Sequence, residues 1–144
     1  MPHQPIDGRP VSAGPHQLTE EALAFLAERH LATFSSLRPT GTPHVTPVGF
    51  TFDPATGIAR VITSGTSQKA RNATGGVAAA LCQIDGPRWI TLEGIARTTT
   101  DPEAIADAVA RYTARYRTPR ENPRRVAVEL TVTRVLGHRS MLDR

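Results

Sequence analysis

A chain of 144 residues, 39% of them hydrophobic, with a formal charge of +4, has the size of a single domain built on one core. Folding at this size removes roughly two-thirds of the unfolded surface from water, so disulfides and a structural metal are dispensable; the lone Cys82 excludes an internal disulfide and a CxxC metal pair. No run of about 18 apolar residues can span a bilayer, and the N-terminal stretch lacks the apolar centre of a signal peptide, so the expected protein is soluble, away from the membrane and cytoplasmic.

Residues 1–17, rich in Pro, Gly, Gln and His, have little to bury and are expected to form a flexible leader; residues 18–144 form the domain. Thr19 before Glu20 and Glu21 is an N-cap with acids in the first turn, and Ala22, Leu23, Leu26 and Ala27 give the helix that follows, to about Arg29, one apolar stripe. From Leu31 onward, β-branched and aromatic segments alternate with turn sequences. Strands are predicted over Leu31–Leu37, His44–Phe52, Ile58–Thr63, Val77–Ile84, Arg88–Thr99 and Arg125–Leu136. The last is the clearest, because Val126, Val128, Leu130 and Val132 alternate with Ala127, Glu129, Thr131 and Thr133. A short helix is predicted after Ser67, ending at Gly75-Gly76, and a longer one from Asp101-Pro102 to about Arg117, whose Ile105, Val109, Tyr112 and Tyr116 recur at helical spacing as a packing stripe. Hairpin-length links between strands, with helices only at the flanks, predict a mainly β (α+β) domain: a six-stranded antiparallel barrel.

The segment from Ile62 to Asn72 carries the most chemical information. A strand ends, small residues leave the backbone open, and a helix begins with Lys69, the only lysine of the chain, and Arg71 in its first turns. Basic residues at a helix start oppose the usual preference for acids there, which a bound anion such as phosphate would resolve; a polar loop capping a surface helix is the other reading. The Walker spacing is absent. In the turn Asp85-Gly86-Pro87, Arg88 and Trp89 suit a planar acidic ligand or a subunit interface, and a core tryptophan is the alternative.

Arg111, Arg115, Arg117, Arg120, Arg124 and Arg125 make nucleic acid a candidate partner, but Pro119 and Pro123 interrupt them and no nucleic-acid module signature accompanies them, so none is expected to bind. No GxSxG elbow, HExxH pair or matched Cys and His is present, no metal site is expected, and no catalytic residue is assigned. Between Arg29 and Ile84 the only acid is Asp53, so any catalysis is expected to use a cofactor with its own reactivity.

The strings PHVTPVGFTFDPATGIARVIT, GTSQKARNA, QIDGPRWITLEGIA, RYRTPRENPRRVAVEL and RVLG resemble the pyridoxamine 5′-phosphate oxidase-like split-barrel superfamily, and more narrowly its actinobacterial F420-dependent biliverdin reductases, over about Leu18 to Leu142. The resemblance implies a split β-barrel of the FMN-binding type and a homodimer with two sites shared between subunits. It also implies hydride transfer from reduced deazaflavin F420 to a tetrapyrrole. On matching positions, Ser67, Gln68 and Lys69 would hold the cofactor phosphate with help from Thr63 and Ser64. Thr46, Pro47 and Val48 would back the ring, and Arg88 and Trp89 would arrive from the partner subunit. FMN is the alternative cofactor, since its phosphate and tricyclic ring make the same demands, and a non-catalytic binder of F420, flavin or tetrapyrrole would use the same residues. The turn Thr74-Gly75-Gly76 lacks the basic residue that the resemblance leads one to expect, which leaves the contact to the oligoglutamate tail of F420 open.

Overall fold

The computed structural model describes residues 11–142. Eight strands form one antiparallel sheet: β1 (Val11–Ala13), β2 (Ala32–Leu37), β3 (Pro43–Val48), β4 (Thr51–Asp53), β5 (Ile58–Ser64), β6 (Val77–Asp85), β7 (Arg88–Thr99) and β8 (Arg125–Gly137). Three α-helices, α1 (Glu20–Ala27), α2 (Gln68–Asn72) and α3 (Pro102–Arg115), flank it. Among the described residues no helix is long and apolar enough to cross a membrane.

The strands follow the order β3-β2-β6-β7-β8-β5-β4, with β1 added beside β8. The two edge strands, β3 and β4, are consecutive in the chain and joined only by Gly49-Phe50. The sheet therefore curls until its edges meet, and the seam between them carries no ladder among the described residues: this is the expected split barrel. Inward residues alternate along each strand and fill the interior, with Phe34, Phe50, Leu81, Ile90, Leu92, Leu130 and Val135 all almost wholly shielded from solvent.

Two strands depart from the expected six. The single segment predicted over His44–Phe52 breaks into β3 and β4 at Gly49, where the chain turns the barrel corner and the tyrosine rings of α3 close in. A Cβ on Gly49 would lie 2.9 Å from Tyr112 and 3.2 Å from Tyr116. The other addition is β1, from the expected leader. β5 pairs with β8 only from Arg125 to Thr131, and β1 takes up the vacated edge by pairing Val11 with Gly137 and Ala13 with Val135. A 3-10 turn at Pro15–Gln17 follows, so residues 11–17 join the fold, while residues 1–10 lie outside the described residues. The register shifts between Glu93 and Gly94, leaving Thr133 of β8 as the extra residue of a bulge. Gly94 is required there, because a Cβ would sit 1.8 Å from the Thr131 carbonyl oxygen.

The helices start where their caps place them. Thr19 Oγ1 accepts from Ala22 N at 3.1 Å and donates to Ser140 O at 2.7 Å, tying the start of α1 to the end of the chain. Asp101 accepts from Ala104 N at 3.1 Å and caps α3, with Pro102 at its first position. Of the predicted α3 stripe, Tyr112 packs against Tyr116, and all four members are half-buried beside the buried Ala108.

The seam is closed by side chains. Arg115 donates to Glu28 O at 2.9 Å, Phe50 O at 2.6 Å and Gln83 Oε1 at 2.6 Å, and Gln83, fully buried, donates in turn to Phe25 O at 2.8 Å. The guanidinium lies 4.7 Å from the Phe50 ring centroid and 5.0 Å from that of Tyr116. Tyr116 donates its hydroxyl proton to His30 O at 2.6 Å and accepts from Phe50 N at 3.2 Å. Arg115→Leu leaves a buried carboxamide oxygen and two carbonyls without their donor, so urea denaturation should show a stability loss of about 2–4 kcal/mol; a loss below about 1 kcal/mol would mean that the seam is held by apolar packing instead.

Candidate functional site

β5 ends at Ser64, and Gly65 N donates to Arg124 O at 2.8 Å, which ties the following loop to the segment entering β8. Ser67 Oγ then caps α2, accepting from Ala70 N at 3.3 Å and from Thr63 Oγ1 at 3.0 Å. At five residues α2 has only a small dipole, so attraction for an anion here rests on side chains.

Those side chains border a cavity of about 310 Å³ at the rim where β3 and β5 end and β8 begins. Pro47, Val48 and Gly49 form one wall, Ile62, Thr63 and Ser64 another, with Lys69 from α2, Tyr112 from α3, and Pro119, Asn122 and Arg125 completing it. A neighbouring depression of about 570 Å³ shares Asn122 and Arg125. No carboxylate lines the cavity, and no ion-pair partner reaches Lys69 among the described residues. Burial pushes its ammonium below the ordinary lysine range. An unpaired, partly desolvated cation beside the Thr63 and Ser64 hydroxyls favours an anionic ligand group.

The cavity brings together five of the expected residues, Pro47, Val48, Thr63, Ser64 and Lys69. Thr46, on the inward face of β3, has a buried Oγ1 with no hydrogen-bond partner, as has Nδ1 of His44 one inward position further on. Ser67 adjoins the cavity through Thr63. Gln68 is turned to its own helix, donating to Asn72 Oδ1 at 2.7 Å and accepting from Arg71 at 2.9 Å. Within one chain, Arg88 and Trp89 do not join this group. They begin β7, whose far end, Thr98 and Thr99, pairs with Val128 and Ala127 near the cavity, a strand length of ~30 Å away. There Arg88 donates to Glu28 at 2.7 and 3.0 Å, bonds Asp85 and stacks over Phe25 at 4.6 Å. Hydrogen bonds from Arg88, and then from His30, hold the Glu28 carboxyl at a pKa of about 2. Glu28, His30 and Asp85 thus cluster like metal ligands, but with the Arg88 cation already between the carboxylates.

Sequence reasoning did not place Gly49, Tyr112, Asn122 and Arg125 at the cavity. Tyr112 carried a signal only as a packing residue, which it also is, and Arg125 was one arginine of a run. At the glycine turn, Gly76 has φ 91° and the Arg97 guanidinium packs against it, 2.9 Å from where a Cβ would stand, while donating to Gly75 O at 3.2 Å. A positive group thus covers this turn from β7 although the turn itself carries none.

The fold is a split barrel with an acid-free, lysine-bearing cavity at its rim. The chain belongs to the pyridoxamine 5′-phosphate oxidase family, whose model matches residues 18–139. It is 57% identical over 128 residues to an F420H(2)-dependent biliverdin reductase of Mycobacterium tuberculosis (strain CDC 1551 / Oshkosh), covering 89% of this chain and 93% of that protein. Among solved structures, a protein titled F420 Reductase superposes with a TM-score of 0.66 at 25% identity, covering 81% of this chain and 97% of its own. A conserved hypothetical protein of Mycobacterium tuberculosis does so with a TM-score of 0.70 at 23% identity, covering 85% of this chain and 86% of its own, a likeness of fold.

An unpaired half-buried ammonium is a stability cost. Lys69→Met should therefore leave the ligand-free protein as stable or more stable, by up to about 1 kcal/mol in thermal unfolding, while phosphate-ligand affinity falls; a clear destabilisation would assign Lys69 a structural role instead.

Proposed function

We propose that this chain is an F420H2-dependent oxidoreductase that reduces biliverdin to bilirubin, or a similar conjugated acceptor. The observation that carries the reading is Lys69, a partly buried cation without a counter-ion in an acid-free cavity. The biliverdin reductase that shares 57% of its residues narrows the cofactor and acceptor.

The residues fit the cofactor. Lys69, with the Thr63 and Ser64 hydroxyls, would take the phosphate, and the buried Thr46 hydroxyl lacks a partner that a ligand can supply. Pro47 and Val48 offer an apolar wall for a ring. When bound, the reduced deazaflavin supplies the hydride, so the protein needs no acid or base of its own for that transfer. Its residues orient the two ligands and keep water from between them. The exposed Arg117, Arg120 and Arg124, on the segment that closes the cavity, suit the two propionates of a tetrapyrrole. FMN is the alternative cofactor, since its phosphate and tricyclic ring make the same demands on these residues.

We further propose a cytoplasmic homodimer with sites shared between subunits. Its support is an outward sheet face where Leu37, Val45 and Ile95 are 44%, 56% and 44% exposed, around a depression of about 500 Å³ floored by Ser35 and Ala78 to Ala80. Packing two such faces together would let Arg88 and Trp89 of one subunit serve the other.

Parallel fluorescence titration with F420 and FMN, followed by mixing the reduced preferred cofactor with biliverdin, tests the reading. Tight F420 binding and loss of biliverdin absorbance are expected, and FMN preference or binding without turnover would move the function to an FMN enzyme or a carrier. Lys69→Ala should weaken F420 by about 1–3 kcal/mol, the size of a lost charge-assisted contact, and unchanged affinity would remove Lys69 from the site. Sedimentation of Trp89→Ala beside the parent chain should show a weakened dimer; a parent chain that sediments as a monomer rejects the shared site.

A further inference from the structure

We infer that His44 is a phosphate-contacting residue of the cofactor site, donating a hydrogen bond from its buried ring nitrogen to the anion that Lys69 attracts. This rests on reading the cavity as the site of a phosphate-bearing cofactor.

Alternation along β3 puts Pro43, Val45 and Pro47 outside and His44, Thr46 and Val48 inside. The cavity wall at the end of β3 takes in both Pro47 and Val48, and at ~3.3 Å per residue His44 lies ~13 Å back from Val48 along the inward face. The register then carries it to α2. His44 pairs with Ser36, whose Oγ accepts from Asn72 Nδ2 at 3.0 Å, and Asn72 lies one turn beyond Gln68 and Lys69. Lys69, which borders the cavity, is thus also close enough to the imidazole to act on it electrostatically.

What marks His44 as a ligand contact is the state of its ring. Nδ1 is shut off from water and has no hydrogen-bond partner among the described residues, a costly arrangement. The charged groups acting on the ring are both cations, Arg38 from the turn after β2 and Lys69 from α2, and burial adds to them in holding the imidazole below its usual range. A carboxylate on an adjacent strand would be the ordinary structural solution, and none acts on this ring. An oxyanion with several acceptor positions satisfies all of it at once: it accepts from Nδ1–H, offsets both cations, and has room for the second orphan on the same face, the Thr46 hydroxyl. The Gln68 carboxamide, which is engaged with Asn72 and Arg71, does not compete for that place.

The test compares F420 with its phosphate-free chromophore, the deazaflavin bearing only the ribityl chain, by fluorescence titration of the wild-type protein, His44→Phe and His44→Gln. His44→Phe should lose about tenfold or more in F420 affinity, with little change toward the phosphate-free chromophore, and His44→Gln, which keeps an N–H donor, should recover much of the loss. Thermal unfolding of each variant identifies any that fail to fold, and His44→Gln then carries the comparison. Equal losses on both ligands, or no loss on either, overturn the His44 contact while leaving F420 binding by the wild type intact. If the wild type prefers FMN, the same comparison of FMN with riboflavin decides. If it binds neither phosphate-bearing cofactor, the proposed function and this contact fall together.

Discussion

Arg115 brings a full charge to the seam where the end of α1, the 49–50 link and β6 each present an acceptor, and its three donating nitrogens satisfy all three. The seven-strand path curls until its two edge strands face each other, and among the described residues those edges share no backbone ladder. The planar fork of a guanidinium, with Phe50 and Tyr116 against its faces, fills this gap in a way that the point charge of an ammonium cannot. Burial lowers its proton affinity, yet an arginine retains its charge there.

The site depends on that closure. Gly49, at the seam, is a wall of the cavity, and so is Tyr112, which packs against Gly49 and Tyr116. The charge pattern follows the same plan. Arg60 stands between Asp107 and Glu129, Arg111 between Asp107 and Asp53, and Arg88 between Glu28 and Asp85. The acids of the chain that pair in this way sit beside arginines away from the cavity, so the field of Lys69 is opposed by none of them. A charged cleft with low-dielectric walls concentrates that field toward an incoming anion.

Much of this was legible from residue order. The alternation of β8, broken at the buried Ala127, the cap at Thr19 and the helix starts after Ser67 and at Asp101 each have a local cause. Lys69 stood out because it is solitary and follows a run of small residues. What stayed hidden was set by partners distant in sequence. β1 forms because β5 stops short on β8, a fact of register that the Val-Ser-Ala triplet at residues 11–13 does not announce. The break at Gly49 answers rings more than 60 positions away. Arg115 and Arg125 looked alike in a run of arginines, and only the fold turns one into a fastener and the other into a cavity wall.

Because Lys69 is the only lysine, the chain offers a single side-chain amine to acylating reagents. Its proton is held less firmly than that of an ordinary surface lysine, so more of it is present as the nucleophilic free base at a given pH. One modified peptide would then report on one place, the edge of the cavity, and a ligand seated there would shield it. Occupancy of the site becomes readable by mass spectrometry without a chromophore, in a mixture, and for ligands that neither fluoresce nor react.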